Sequence, residues 1–151
     1  MRVVIQRVSE AAVSVDDRLV AKIGEGLLVL LGIEDADNND DTDWMVNKIT
    51  NIRIFNDEAN HMNLSLKDVG GELLVVSQFT LHANTKKGKR PSFVRAAKPE
   101  TAIALYEEFI KQLSESLGRP VVSGEFGAMM QVQLINDGPV TIIIDSKQRG
   151  F

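Results

Sequence analysis

The segment Ser77–His82 (SQFTLH) holds the residue types that most readily do chemistry, at the end of an apolar run. Polar residues at the end of a buried strand often form a site in sheet proteins that carry helices. On a strand, Gln78, Thr80 and His82 would share one face. A hydroxyl and an imidazole so placed suggest a nucleophile and its base, although no carboxylate nearby in sequence could orient that base. The alternative is a strand end whose hydroxyls satisfy backbone groups.

A second polar segment, NDGPVT at 136–141, lies between two β-rich runs. Asn-Asp-Gly-Pro is turn chemistry, so the pattern by itself predicts a hairpin turn. Cis bonds make up only about 5–6% of X–Pro bonds in folded proteins. The pattern alone therefore does not predict a cis bond between Gly138 and Pro139.

The loop KKGKRPSFVR at 86–95 concentrates positive charge around a glycine, with Phe93 close by. Such a loop suits phosphate binding, and a solvated surface loop explains the composition equally well. The candidate phosphate ligands are Lys86, Lys87, Lys89 and Arg90. The net charge of −4 argues against non-specific coating of nucleic acid, which depends on neutralising phosphates, but it leaves room for this local patch.

The composition excludes several kinds of site. The absence of cysteine excludes a disulfide framework, a thiolate zinc site and a cysteine nucleophile. The chain has only two histidines and no HxxxH spacing, so we expect no metal site. No glycine-rich nucleotide fingerprint follows a strand, and no cofactor is predicted.

The length of 151 residues fits one domain, which we take as residues 1–151. No apolar run approaches the ~20 residues needed to cross a bilayer, so no membrane association is expected. The first residues have no signal-peptide pattern. A cytoplasmic location is the resulting expectation.

Hydrophobic patterning predicts a sheet protein. The run LLVLLGI lacks alternation, which is typical of a strand buried on both faces. Strands are predicted over residues 2–8, 11–15, 19–23, 27–33, 72–81, 120–126, 130–136 and 139–145.

Two main helices are predicted beside these strands. One begins at a cap on Asp41 or Thr42 and continues through TDWMVNKITNI. The other begins at Pro99, shows apolar residues at i, i+3, i+4 and i+7, and ends at Gly118. Residues 56–71 are turn-rich and are expected to be irregular. The pattern indicates an α/β or α+β domain with a largely antiparallel sheet system closed by two helices.

SQFTL at 77–81 and NDGPVT at 136–141 resemble the two signature motifs of the D-aminoacyl-tRNA deacylase family. The segments MRVVIQRV, GLLVLLGI and KGKRPSF resemble that family too, as does the run from GEFGAMMQV to the C-terminus. The resemblance covers the whole chain in the family's order.

The resemblance implies a compact three-layer α/β/β domain with a mixed, barrel-like sheet, acting as a homodimer. It implies hydrolysis of the ester between a D-amino acid and the terminal adenosine of tRNA, and of glycine misattached to alanine tRNA. Ser77, Gln78, Phe79 and Thr80 would line the pocket. The tRNA 2′-hydroxyl and backbone N–H groups near Phe79 or Ala102 would assist the reaction, with Thr80 positioning the substrate rather than forming an acyl-enzyme.

The resemblance also implies how the enzyme distinguishes chirality. Gly138 and Pro139 would form a cis pair that reaches into the partner subunit's pocket, and Arg7 would fix the orientation of that pair. A rigid backbone wall rejects an L side chain by clash and admits D and glycine.

Three other hypotheses remain open on the residues alone. A non-catalytic RNA-binding module could use KKGKRPSF, although it needs exposed aromatics for base stacking. A hydrolase of small esters could use Thr80 and His82, and it would act without tRNA. A purely structural dimer would leave both polar segments without a role.

Overall fold

The strand β1 (Arg2–Val15) is the one around which the sheet is built. In this computed structural model, which describes residues 1–150, β1 is continuous where the sequence predicted two strands. Ser9 and Glu10 are exposed between buried neighbours, and the register of β1 against its neighbour shifts near Val8. This local irregularity interrupts the hydrophobic pattern without ending the strand.

Both edges of β1 are paired. One edge pairs antiparallel with β3 (Gly26–Gly32) and, further along, with β2 (Arg18–Ile23). The other edge pairs antiparallel with β8 (Gln131–Asp145) from Arg2 to Ser14.

Two parallel strands extend the sheet beyond β3. β6 (Glu72–Ser77) pairs parallel with β3, and β7 (Val122–Ser123) pairs parallel with β6. The order is β2-β1-β3-β6-β7, with β8 on the other edge of β1. The sheet curls until β2 contacts β6 and β7. The predicted mixed, barrel-like sheet is therefore confirmed.

The curled sheet separates two hydrophobic cores. Along β3, Leu27, Val29 and Leu31 pack into the core beneath the helices, whereas Leu28 packs into the core inside the curl. Burial on both faces explains the unbroken apolar run in this strand, as the sequence predicted.

The two main helices cover one face of the sheet. α1 (Asn39–Asn51) begins earlier than predicted, because Asn38 is its N-cap and forms a capping box with Asp41. The expected caps, Asp41 and Thr42, lie inside the helix and are buried. α3 (Pro99–Leu117) has proline in its first turn and ends at Gly118 in the left-handed conformation, as the pattern predicted.

Residues 56–71, expected to be irregular, contain secondary structure. β4 (Arg53–Asn56) and β5 (Met62–Ser65) form a hairpin, and α2 (Leu66–Val69) follows it. The turn-rich composition belongs to the hairpin loop, where the carboxylate of Asp57 accepts hydrogen bonds from the N–H groups of Ala59 and His61. None of the helices within residues 1–150 is long and apolar enough to cross a membrane.

The end of the chain differs most from the prediction. The strand expected over 120–126 is reduced to β7, and the strands expected over 130–136 and 139–145 are the single strand β8. The hairpin predicted at 136–141 is therefore wrong. β8 leaves its ladder with β1 between Asn136 and Thr141, whose partners are Val8 and Gln6, so residues 137–140 bulge out opposite Arg7.

The absence of a side chain at Gly26 fixes the register of the parallel pair β3–β6. A Cβ atom there would lie 1.8 Å from the carbonyl oxygen of Glu72, and a backbone atom cannot rotate away as a side chain can. This register places Leu31 beside Ser77, where β6 ends and the first chemical motif begins.

Candidate active site

The first motif is a turn and not the end of a strand. β6 ends at Ser77, and the N–H of Gln78 makes a last hydrogen bond to the oxygen of Leu31 at 2.7 Å. A 3₁₀ turn (Phe79–His82) follows, with Leu81 N–H bonded to Gln78 O. The predicted sharing of one strand face by Thr80 and His82 is wrong for that reason.

The 3₁₀ turn lies directly on β3 because position 32 has no side chain. A Cβ atom at Gly32 would lie 3.0 Å from both His82 Cδ2 and Leu81 Cβ, and 3.1 Å from Gln78 O. A larger residue would push the turn away from the strand. Gly32 thus sets the depth at which the motif is held.

An ion pair holds the other end of the turn. Arg2 donates to Leu81 O at 2.8 Å and to the carboxylate of Asp145 at 2.8 and 3.0 Å. Burial alone would raise the pKa of Asp145, but hydrogen bonds from the Lys147 backbone and from Arg2 outweigh it, and the pKa lies below its usual value. The carboxylate therefore stays charged at neutral pH and keeps Arg2 on the turn.

The turn forms one wall of an open cleft of about 530 Å³. This volume suits a nucleoside or an aminoacyl group. The opposite wall comes from the segment before α3 and from the first turn of α3. The lining residues from these walls are Ser77, Gln78, Phe79, Ala96, Ala97, Pro99 and Ala102.

Four of the predicted site residues meet in this cleft: Ser77, Gln78, Phe79 and Ala102. Thr80 is adjacent, and its hydroxyl accepts a hydrogen bond from Gln78 Nε2 at 2.6 Å. The N–H of Ala102 donates to Lys98 O at 2.9 Å. Ala102 is therefore not the free backbone donor that the resemblance implies, because the helix already uses its N–H.

Within residues 1–150, backbone donors that have no backbone partner occur at the turn itself. The N–H groups of Phe79 and Thr80 open the 3₁₀ turn, and the first N–H groups of a helix or turn have no partner within it. Helix N-termini and such turns suit developing negative charge. Phe79 therefore remains a candidate donor.

His82 cannot act as a base for Thr80 in this arrangement. Its side chain is fully buried, and neither ring nitrogen makes a hydrogen bond to any residue within 1–150. A serine- or threonine-type dyad needs the base within hydrogen-bond reach of the hydroxyl. The geometry disfavours the small-ester hydrolase hypothesis.

Sequence reasoning missed one side of the cleft. The segment between β7 and β8 contributes Phe126, Met129 and Met130, and Met129 is 91% exposed. Phe93 also packs edge-on against Phe79, with ring centroids 5.1 Å apart. An exposed apolar residue gives no periodic signal, and only the fold shows that these side chains gather at one opening.

The second motif lies away from the cleft of its own chain. Gly138 and Pro139 are exposed, are joined by a cis bond, and do not line the cleft. Arg7 is buried behind them and donates to Asp137 O at 3.0 Å and to Ile54 O at 2.7 Å. Arg7 therefore ties the bulge in β8 to β4, a placement compatible with the positioning role that the resemblance implies.

The basic loop is a separate feature of the surface. Asn84 and Ser92 pair across its base. The side chains of Lys86, Lys87, Lys89 and Arg90 are all exposed. The loop leads directly into the segment that forms the second wall of the cleft.

Comparisons with known proteins agree with this arrangement. The model of the family described as D-Tyr-tRNA(Tyr) deacylase matches residues 4–145. The D-aminoacyl-tRNA deacylases of Flavobacterium psychrophilum and Bacteroides thetaiotaomicron are 61% and 54% identical over 149 residues, with 99% of each chain covered. The family model and these relatives thus define a hydrolase that acts on aminoacyl-tRNA esters. Within that class, the chain belongs to the D-Tyr-tRNA(Tyr) deacylase family, which confirms the family predicted from the motifs.

Two solved structures share the fold. One, described as the c-Myc DNA Unwinding Element Binding Protein, is 43% identical, with a TM-score of 0.91 over 96% of this chain and 98% of that chain. The other, described as a probable eukaryotic D-amino acid tRNA deacylase, is 21% identical, with a TM-score of 0.83 over 95% of this chain and 97% of that chain. At that identity the second structure supports the fold alone.

Gly32→Ala should impair the reaction more than it impairs folding. The added methyl group would displace the 3₁₀ turn, and a misplacement of ~1 Å can cost about 100-fold in rate, while overpacking costs about 1–3 kcal/mol of stability. Deacylation kinetics and thermal unfolding measure the two effects. Gly24→Ala is the control, because its Cβ would lie 3.8 Å from the nearest atom, Glu72 Oε2. Equal rates in the two variants would contradict the role of Gly32.

Proposed function

We propose that this enzyme removes D-amino acids and glycine from tRNA while sparing L-amino acids, with the chiral test supplied by a second copy of the chain. The observation that carries the proposal is the separation of the two motifs. Ser77–Phe79 line a cleft, whereas Gly138–Pro139 project from a different part of the same surface. The two motifs can meet only across an interface between two copies.

The cleft suits the end of an aminoacyl-tRNA. Its lining is mostly apolar, and the exposed ring of Phe79 with Phe93 beside it offers a surface on which a base can stack. The hydrogen bond between Gln78 and Thr80 orders the polar side chains at the edge of this surface. Thr80 therefore positions the substrate.

Catalysis rests on backbone and substrate groups. The ester of an aminoacyl-tRNA is already activated, and the ribose 2′-hydroxyl next to it can assist its hydrolysis. The N–H of Phe79 donates to the oxyanion that develops on the ester carbonyl, an interaction typically worth ~2.7–4 kcal/mol. No covalent intermediate forms on Thr80.

The chiral test is a clash with backbone. An L-amino acid and its D-isomer differ in the direction of the side chain, and a rigid backbone wall cannot rotate out of the way as a side chain can. Gly138 and Pro139 of one copy form this wall in the cleft of the other, held by Arg7. Glycine has no side chain to clash, so glycine carried by alanine tRNA is admitted.

Exposed apolar residues support the interface. β8 pairs with β1 along one edge, so its other edge is available for a second chain. Ile135 lies just before the bulge and is 54% exposed. A homodimer that buries this edge of β8 would cover Ile135. It would also bring Gly138 and Pro139 of one copy to the cleft of the other.

Three substrates test the proposal: D-tyrosyl-tRNA, L-tyrosyl-tRNA and glycine attached to alanine tRNA. The purified protein is incubated with each, and loss of the ester is measured. We expect rapid loss of the D-ester and of the glycyl ester, with the L-ester spared, because only an L side chain meets the wall. Equal cleavage of all three would contradict the chiral role of Gly138–Pro139.

Other outcomes of the same assay separate the remaining hypotheses. Survival of all three esters would favour a non-catalytic RNA-binding module. Turnover of simple esters without tRNA would favour the small-ester hydrolase. A covalent adduct trapped on Thr80 would contradict catalysis by backbone and substrate groups.

Arg7→Lys should relax the chiral test. A lysine ammonium is a single flexible group and cannot bond Asp137 O and Ile54 O at once as the planar guanidinium does. The backbone of Gly138 and Pro139 therefore loses its support. We expect the rate on L-tyrosyl-tRNA to rise about 10-fold, which corresponds to ~1.4 kcal/mol of discrimination, with little change on the D-ester. Arg18→Lys is the control, since the exposed pair that Arg18 forms with Glu125 does not include a residue of the bulge. An unchanged ratio of D to L rates would count against the role of Arg7.

The basic loop binds phosphates of the acceptor stem in this proposal. Replacing Lys86 and Lys87 by alanine should weaken binding alike for all tRNAs, because phosphates carry no sequence information. The slope of log affinity against log salt should flatten by about one unit per lost contact. Binding titrations at several salt concentrations measure this slope. The control is the double variant in which alanine replaces the exposed Lys22 and Lys67. An identical slope in both double variants would refute the assignment.

A further inference from the structure

Glu34 lies next to the cleft lining and is fixed to one of its walls. The chain leaves β3 through Ile33, which lines the cleft, and reaches Glu34, whose side chain is 9% exposed. The N–H of Ala97 donates to Ile33 O at 2.9 Å, and Glu34 forms a bridge with Ala96. Backbone contacts therefore attach this residue to the wall formed by the segment before α3.

The Glu34 carboxylate also contacts side chains from both walls. Its Oε2 atom accepts a hydrogen bond from Arg95 Nη2 at 2.8 Å, on the segment before α3. The same oxygen lies 4.0 Å from Nδ1 of His82, the last residue of the 3₁₀ turn. One buried carboxylate thus stands between the turn that carries Phe79 and the segment that carries Ala96.

His82 has an unsatisfied side chain that faces this carboxylate. Its ring is fully buried, and neither nitrogen has a hydrogen-bond partner within residues 1–150. A buried polar group without a partner is costly and calls for an explanation. A movement of about 1 Å would bring Nδ1 into hydrogen-bond range of Glu34. Hydrogen bonds of free enzymes are often long and shorten when substrate binds.

We propose that Glu34 is a positioning residue that couples the two walls of the cleft: it holds the segment before α3 through Arg95 and draws in the 3₁₀ turn through His82. The contact with His82 shortens when the aminoacyl end of the substrate fills the cleft. This inference rests on the proposed function, because it concerns how the cleft closes on that substrate.

The coupling matters because the backbone donor and the surface that holds the substrate opposite it belong to different walls. Phe79 supplies a backbone donor from the turn, while Ala97 and Ala102 shape the opposite side. The width of the cleft sets the distance between donor and ester, and rate depends steeply on that distance. Loss of the coupling should lower kcat more than it raises KM.

Glu34→Gln and His82→Leu test the coupling by kinetics. We expect each to lower kcat on D-tyrosyl-tRNA at least about 10-fold with less than about a 3-fold change in KM. His82→Gln should recover most of the rate, since its amide can still donate to Glu34. Asp68→Asn is the control, a carboxylate that accepts a hydrogen bond from the N–H of Ser65 at 2.8 Å outside the cleft. A kcat for Glu34→Gln equal to that of the control would overturn the proposal.

A second measurement does not depend on activity. In backbone NMR spectra, His82→Leu should shift the amide signals of Ala96 and Ala97 on the opposite wall. The same substitution made in a Glu34→Gln background should leave those signals where Glu34→Gln alone puts them, because the coupling group is already lost. Equal shifts in both backgrounds would overturn the proposal.

The two arms separate this inference from the proposed function. If the unaltered protein hydrolyses none of the esters, the proposed function fails, and the NMR comparison alone decides whether Glu34 couples the walls. If the unaltered protein is active and both arms show no coupling, only the inference about Glu34 fails.

Discussion

The burial of β3 on both faces is the constraint on which the cleft depends. Helices cover one face of this strand and the curled sheet covers the other, while β1 and β6 pair with its two edges, so the chain leaves the strand along its axis. Gly32 stands at that end, and its missing side chain lets the 3₁₀ turn fold across it. The turn therefore rests on a strand buried on both faces, and its contact with β3 together with the Arg2–Asp145 pair holds its backbone donors in place.

The active-site residues could be predicted only in part from the sequence. SQFTL indicated the site because hydroxyl and amide side chains followed an apolar run, and the structure places Ser77, Gln78 and Phe79 in the cleft. The change from strand to 3₁₀ turn after Ser77 was not predictable from alternation, because two or three residues do not establish a period. Whether His82 faced Thr80 depended on that single change in backbone geometry.

Some elements of the fold could be predicted from the sequence and others could not. The helix from Pro99 was predictable because a proline, a long apolar stripe and Gly118 all mark the same element. The bulge in β8 was not, because Asn-Asp-Gly-Pro has the composition of a hairpin turn and only the pairing of both flanking segments with β1 identifies it as a bulge. Pairing partners distant in sequence decide such cases, and local composition cannot supply them. Phe126 and Met129 were missed for the same reason, since their role follows from where the segment between β7 and β8 crosses the cleft.

The two motifs are supported by opposite means, and the difference fits the tasks proposed for them. The 3₁₀ turn rests on β3 and is held by Arg2, so it keeps a fixed position relative to the core of its own chain. The bulge projects from an edge strand and is supported from behind by the buried Arg7, whose guanidinium reaches both the bulge and β4. A backbone segment that contacts a neighbouring copy has to project from its own chain. It can exclude an L side chain only if a buried residue behind it prevents it from moving. Arg7 meets that requirement with several hydrogen bonds from a planar group, which resists rotation better than a single flexible contact would.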